Sequence, residues 1–486
     1  MTHDPFGSAV EMARALRSHK ISSREMLESY LARVERYNPQ LNAIVHLKAD
    51  EARKRADEAD AAISAGQVWG PLHGLPITIK ELFEVEGFRW TAGDPQFAER
   101  VAQQSSPSVQ ALIDAGAVVF GVTNSPLNGL DHQSYNEVYG TTNNPWDLEC
   151  TPGGSSGGSA AVTAAGLSAL ELGSDIGGSI RLPAAYTGIY GHKPTFGIVP
   201  RRRLSLPGPL AVGDLSVAGP MGRSADDIEL GLKLIVGPEV DQKAAWRIDL
   251  PIPRHRTLTD FRVAAWLDDP AGPVDAAVLD RLKATVDALR TAGVNVDEEA
   301  RPDIPGFAEQ FRLYRSLLTS ATASRSVPDH ALAPLAAEED ALALETEVDG
   351  PLQPHNGALR HRTWQRLNEK RLVIKEKWSG FFQKYDVILM PATQVTAPKH
   401  DHRERLARFI SVNGKDWPYG DQLAWVGIVT MAYLPATSAP VGPASNGLPV
   451  GVQVVGDTFD DLTTIHFARL LAGVIGGYTV PPGFES

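Results

Sequence analysis

Two spacings of apolar residues alternate along this chain, and together they predict a layered α/β protein. Over residues 8–19 and 23–37 apolar side chains return every three or four positions, the pattern of two amphipathic helices. Ser22 and Glu25 stand at capping-box spacing where the second begins, and Asn38-Pro39 predicts its end. The charged, alanine-rich stretch 51–65 predicts a surface helix, and 108–115 another. Short apolar runs at 42–45, 75–79 and 118–121 predict strands, the second ending next to Lys80. Residues 157–166 are almost all small, as in a tightly packed buried helix, and 167–172 predicts a buried strand. Ser179 opens a further helix with Pro183 near its start. An Arg-, Pro- and Gly-rich loop over 201–220 and a helix over 224–236 follow.

The texture changes over about 240–385. Strands at 263–267 and 295–296, a helix at 274–292 and charged, alanine-rich helices read as a semi-independent subdomain or lid. A strand at 386–390 and a hairpin of 439–442 with 448–456 return to the core.

Composition narrows the function classes. The chain has 486 residues, 43% apolar and 21% charged, ample for a large core. Length alone predicts about three domains, but no linker divides the chain. A net charge of −12 argues against nucleic acid or an anionic membrane as partner. The single cysteine, Cys150, forbids an internal disulfide and fits a reducing compartment. No signal-peptide core and no bilayer-length apolar run is present, so a cytoplasmic location is expected. No Cys/His cluster suggests a metal, and no cofactor is expected.

The chemistry concentrates in two glycine-rich runs, Gly153–Ser159 and Gly173–Ala184. Ser179 follows Ile176-Gly177-Gly178, where backbone N–H groups can turn inward to meet a developing negative charge; a tight turn with a capping serine is the plainer reading. Ser155 and Ser156 lie within a glycine run that matches neither the P-loop nor the dinucleotide pattern. Close helix approach explains those glycines better than phosphate binding. Lys80 lies between apolar runs, and burial disfavours an ammonium, so a neutral amine there can serve as a base. Adjacent Glu81 reads as a surface charge. Asp175 and Arg181 flank Ser179 and read as a pair holding its loop. His73, His132 and His192 are isolated and read as structural. One lysine and two serines thus suggest a relay without histidine, although a chymotrypsin-type triad stays open.

These runs carry a resemblance. GGSSGGSAAVTAAG, GSDIGGSIRLPA and GIYGHKPT look like the signature block of the amidase signature family of serine hydrolases. The likeness extends through GPLHGLPITIKE, TNSPLNG, GTTNNPWD and GLPVGVQVVG, across nearly all of the chain except about 240–385. It implies one α/β domain, a twisted mixed sheet of many strands covered by helices on both faces. Its signature core is about 70–236 and 386–486. It implies Ser179 as nucleophile, Ser155 as bridging serine after a cis peptide bond, and Lys80 as base. Ile176, Gly177, Gly178 and Ser179 would supply oxyanion-hole N–H groups, supported by Ser156, Asp175 and Arg181. Gly129, Leu130, Asp131 and Tyr433 would line the substrate pocket, with Tyr433 as an aromatic wall. Trp425 is a further candidate there, although core packing explains it better. Leu127, Asp131-His132 and Thr430–Tyr433 depart from common family residues; neutral drift in the packing around the pocket is one reading, and the other is a site reshaped away from glutamine toward a small apolar or aryl amide, with esters or carbamates as further substrates. The alternative is the glutaminase subunit of a glutamyl-tRNA(Gln)-type amidotransferase. A binding module with a decayed site is disfavoured by the intact serines and lysine. A monomer and a homodimer both fit.

Overall fold

The computed structural model describes residues 4–204, 211, 213–341 and 357–485. Part of the loop expected over 201–220 and part of the region 240–385 lie outside the described residues. Fifteen strands follow in chain order among those described. They are β1 Ile44–Leu47, β2 Pro76–Lys80, β3 Val118–Thr123, β4 Tyr135–Asn136, β5 Gly140–Thr141, β6 Glu171–Asp175, β7 Tyr190–Lys193 and β8 Val217–Gly222. The rest are β9 Val263–Ala265, β10 Val296–Asp297, β11 Val387–Pro391, β12 Phe409–Val412, β13 Lys415–Pro418, β14 Ala436–Pro443 and β15 Pro449–Val455. Eleven of them form one mixed sheet in the order β1-β3-β2-β6-β8-β7-β14-β15-β11-β9-β10. The other four form two small hairpins, β4 with β5 and β12 with β13.

The expected α/β architecture is therefore present as a single large sheet with helices around it. The strands of the middle region belong to that sheet: β9 pairs in parallel with β11, and β10 with β9. The hairpin near the end is β14 against β15. The capping box is formed, with Ser22 N–H donating to Glu25 Oε2 at 2.9 Å and Glu25 N–H to Ser22 Oγ at 3.1 Å.

Three local expectations are corrected. The second helix, Ser23–Leu41, runs through Pro39. It closes instead at left-handed Asn42 (φ 48°), whose N–H reaches the Asn38 carbonyl, while Asn38 Oδ1 accepts the N–H groups of Ala43 and Ile44. The strand expected at 167–172 is β6, Glu171–Asp175, because Ser168 Oγ takes the Thr78 N–H at 3.0 Å before the ladder begins. Helix Arg181–Thr187 starts after Ser179, which lies in the turn ahead of it.

Two features of this frame position the site. Parallel strands β2 and β6 lie side by side, with Thr78 opposite Glu171 and Ile79 opposite Leu172. Lys80 and Asp175 thus close neighbouring strands at one edge, the carboxyl end where open α/β sheets hold their ligands. Helix Gly157–Ala164 packs against this edge with every residue buried. A Cβ at Gly158 would stand 2.4 Å from the Asn124 backbone nitrogen, so only glycine lets the helix come this close.

Candidate active site

Lys80 is fully buried at the end of β2. Its Nζ donates to Ser155 Oγ at 2.7 Å, and lies 3.0 Å from both Ser156 Oγ and Ser174 Oγ. Ser156 Oγ in turn donates to the Ser174 carbonyl at 3.2 Å, which ties the glycine-serine run to β6. The Gly154-Ser155 peptide bond is cis.

Ser179 is 4% exposed and adjoins this group through its backbone, its carbonyl accepting the Ser156 N–H at 3.1 Å. The side chains of Lys80 and Ser155 are in direct contact, but Ser155 and Ser179 are not hydrogen-bonded. Ser179 lines a cavity of about 230 Å³. Unliganded catalytic contacts are commonly longer than in the reacting complex.

The turn carrying Ser179 is fixed from beneath. Asp175 Oδ1 accepts the Gly178 N–H at 2.8 Å, and Oδ2 accepts the Ile180 N–H at 3.2 Å. Arg181 bonds both carboxylate oxygens, Nη2 to Oδ1 at 3.0 Å and Nε to Oδ2 at 3.1 Å. Burial pushes the Asp175 carboxyl up, but Arg181 and the other donors outweigh it and bring it to about 2. Arg181 also reaches Gln453 and Thr430, at 3.0 and 2.6 Å. The N–H groups of Ile176, Gly177 and Ser179 are uncommitted among the described residues. That of Gly178 is held by Asp175 Oδ1.

The cavity is lined by Gly129, Leu130, Asp131, Ile176, Gly177 and Ser179 on one side. It thus takes in three of the four residues expected to line the pocket. Tyr433 is not among its lining residues. Its ring stacks on Phe196 with centroids 4.1 Å apart, Arg371 Cζ lies 4.3 Å from that ring, and its hydroxyl donates to Asp214. Trp425 is core, with Nε1 donating to the Gly272 carbonyl at 2.8 Å and its ring against Trp266 and Phe307.

Glu81 is not a surface charge. It is 1% exposed, and its Oε1 accepts the Thr91 N–H at 2.5 Å and the Thr91 hydroxyl at 2.7 Å. Burial pushes its carboxyl up to about 7 against these donors. His132 borders the cavity with Nε2 3.0 Å from the Gly177 carbonyl, whereas His192 is buried between Thr437 and Asp461. Sequence reasoning missed the far wall, where Arg315, Leu318, Thr319 and Thr322 face the cavity from helix Phe307–Ser326. Their helical spacing was the available signal, a stripe with an arginine at one end.

A buried amine among hydroxyls, a serine at a cavity and uncommitted N–H groups beside it form a site able to move a proton and hold an oxyanion. The sequence matches the family described as Amidase over residues 25–465. The chain belongs to that family, and it is an amide-hydrolysing enzyme. It is 30% identical over 498 residues to a subunit of the glutamyl-tRNA(Gln) amidotransferase of Halorhodospira halophila, covering 98% of this chain and 99% of that one. It is 31% identical over 455 residues to indoleacetamide hydrolase of Bradyrhizobium diazoefficiens, covering 92% of this chain and 82% of the relative. The fold is similar to the crystal structure of a bacterial aryl acylamidase of the amidase signature family, with a TM-score of 0.82 and 25% identity over 98% of this chain and 99% of that one. Among the described residues no helix is long and apolar enough to cross a membrane, and no group of three or more His, Cys, Asp or Glu side chains could hold a metal ion.

Proposed function

We propose that this amidase cleaves a small apolar or aryl amide through an acyl-Ser179 intermediate. The contact between buried Lys80 Nζ and Ser155 Oγ, 2.7 Å, carries the reading. Burial disfavours the ammonium form, and Lys80 acts as the neutral amine. It takes a proton from Ser155, which takes one from Ser179 as Ser179 Oγ attacks the amide carbonyl. The tetrahedral oxyanion rests on the N–H groups of Ile176, Gly177 and Ser179. Each such donor typically contributes on the order of 10²–10³ in rate. Ser155 then passes a proton to the departing amine and regains one from Lys80, which returns to the neutral amine, and water hydrolyses the acyl-enzyme. The Asp175–Arg181 pair holds the turn.

Leu130, Ile176, Leu318 and Leu423 give the cavity an apolar lining, which supports a hydrocarbon or aryl substituent. Fluorophosphonate labelling and anilide turnover test the assignment. Ser179→Ala abolishes both, and Lys80→Met lowers turnover by about 10²–10⁴, the usual worth of a general base. Turnover at the wild-type rate in purified Ser179→Ala protein would refute the role of Ser179.

A second reading is a glutaminase that feeds ammonia to a tRNA-dependent partner. The 30% identity to one chain of an amidotransferase over nearly its whole length favours it. Assays of the lone chain on glutamine and on an aryl anilide separate the two, since anilide turnover without glutaminase activity excludes the second.

A further inference from the structure

Arg315 reaches the cavity that Ser179 lines, from the helix Phe307–Ser326 opposite. Its side chain is only 16% exposed, with Cζ 5.4 Å from the centroid of the Phe311 ring and a single long carboxylate contact. The carboxylate paired with it is Asp421, with Nη1 3.4 Å from Oδ1. Charge-assisted contacts of this kind normally close to about 2.7–2.9 Å. Among the described residues Arg315 Nε is buried without a hydrogen-bond partner. Burial lowers the affinity of this guanidinium for its proton, and Asp421 opposes that only in part. Arg405 lines the same cavity and gives Nη1 to the Leu130 carbonyl at 3.1 Å.

The carboxylate on the cavity wall does not balance these cations. Asp131 already accepts the Tyr419 hydroxyl at 2.8 Å, the His132 N–H at 2.7 Å and Arg408 Nη1 at 2.7 Å. The cavity therefore joins an apolar lining to an excess of positive charge. A part-buried cation with so weak a partner gains most from a ligand that brings an anion.

We propose that the amide turned over here carries a carboxylate, which docks on Arg315 while the hydrocarbon body lies against Leu318 and Leu423. The proposal rests on the hydrolase reading of Ser179 and narrows its substrate class.

Matched substrates test it. One pair is succinic monoanilide and 4-methylpentananilide, in which an isopropyl group replaces the carboxylate on the acyl side. The other is 4-acetamidobenzoate and 4-isopropylacetanilide, which does the same on the amine side. The expected result is a kcat/KM at least about tenfold higher for the charged member of one pair, carried mainly by KM. Arg315→Gln, which can still bond Asp421, brings that ratio close to one, and Arg315→Lys restores part of it. Equal turnover of both members of both pairs, or preference for the uncharged ones, by protein that still labels with fluorophosphonate overturns this proposal and leaves the hydrolase reading intact. The same holds if Arg315→Gln leaves the ratio unchanged. Absence of both labelling and turnover takes down the hydrolase reading and this proposal with it. If the Gln variant does not fold, the wild-type ratios alone decide.

Discussion

Asp175 and Arg181 form a two-point ion pair with no solvent exposure on either side chain, 3.0 Å at its shorter contact. The carboxylate uses its remaining capacity on the N–H groups of Gly178 and Ile180, so one aspartate sets both ends of the turn that carries Ser179. Removing one partner leaves an uncompensated buried charge. Arg181→Met is therefore expected to lose about 3–5 kcal/mol in urea unfolding. The pair also has a pH signature. The folded carboxyl sits at about 2, against about 3.9 in an unfolded chain. Its stabilisation is complete above the unfolded value and fades as pH falls through the folded one. Urea midpoints measured from pH 5 down to 2 should decline less steeply in an Asp175→Asn background.

Glu81 has the opposite sign. Its carboxyl is raised to about 7 in the fold, against about 4.3 unfolded. Its contribution is complete below pH ~4.3 and is lost as pH rises to about 7. At about 1.4 kcal/mol per unit the loss reaches roughly 4 kcal/mol. Glu81→Gln keeps an acceptor for the Thr91 N–H and hydroxyl and removes the ionisation. The variant should lose less stability than the parent between pH 5 and 8 in urea midpoints; parallel curves would show that Glu81 is not the titrating group.

Gly158 tests the close approach of the small-residue helix. Alanine there brings Cβ to 2.4 Å from the Asn124 nitrogen and 2.6 Å from its carbonyl oxygen, both backbone atoms that yield little. Overpacking of this kind costs about 1–3 kcal/mol. The same shift displaces Ser155 and Ser156 at the start of the helix. Gly158→Ala should therefore lower the melting temperature and cut anilide turnover together, whereas an unchanged melt would mean the helix has room to move.

Local pattern carried much of the fold. The Ser22–Glu25 box, the short strands around Lys80 and the closing hairpin all depend on neighbours within a few residues, and each lies within a few residues of its expected place. Pro39 misled because the helix end is set by the side chain of Asn38, not by the proline. Glu81 misled because its partners, Thr91 and Tyr139, come from loops further along the chain. The same holds within the candidate site. Lys80 and Ser155 stand 75 residues apart, and no periodicity predicts their contact; residue type suggested a relay, and the likeness of the glycine-serine block named its members. Arg315 escaped notice because its stripe with Leu318, Thr319 and Thr322 marks one face of a helix without saying whether that face meets solvent or a cavity. Tyr433 was expected at the pocket by its place in the chain, yet its backbone turns left-handed (φ 64°) and sends the ring toward Phe196.

Helix Phe307–Ser326 comes from the stretch of sequence with no share in the signature block. Even so, its Tyr314 hydroxyl donates to the Ile176 carbonyl at 2.9 Å, and the next residue is Arg315. One helix both braces the turn beside Ser179 and furnishes the opposite wall. Substitutions along its inner stripe can therefore change which molecules are admitted while the glycine-serine block stays untouched, so selectivity and bond cleavage can evolve on separate parts of the chain.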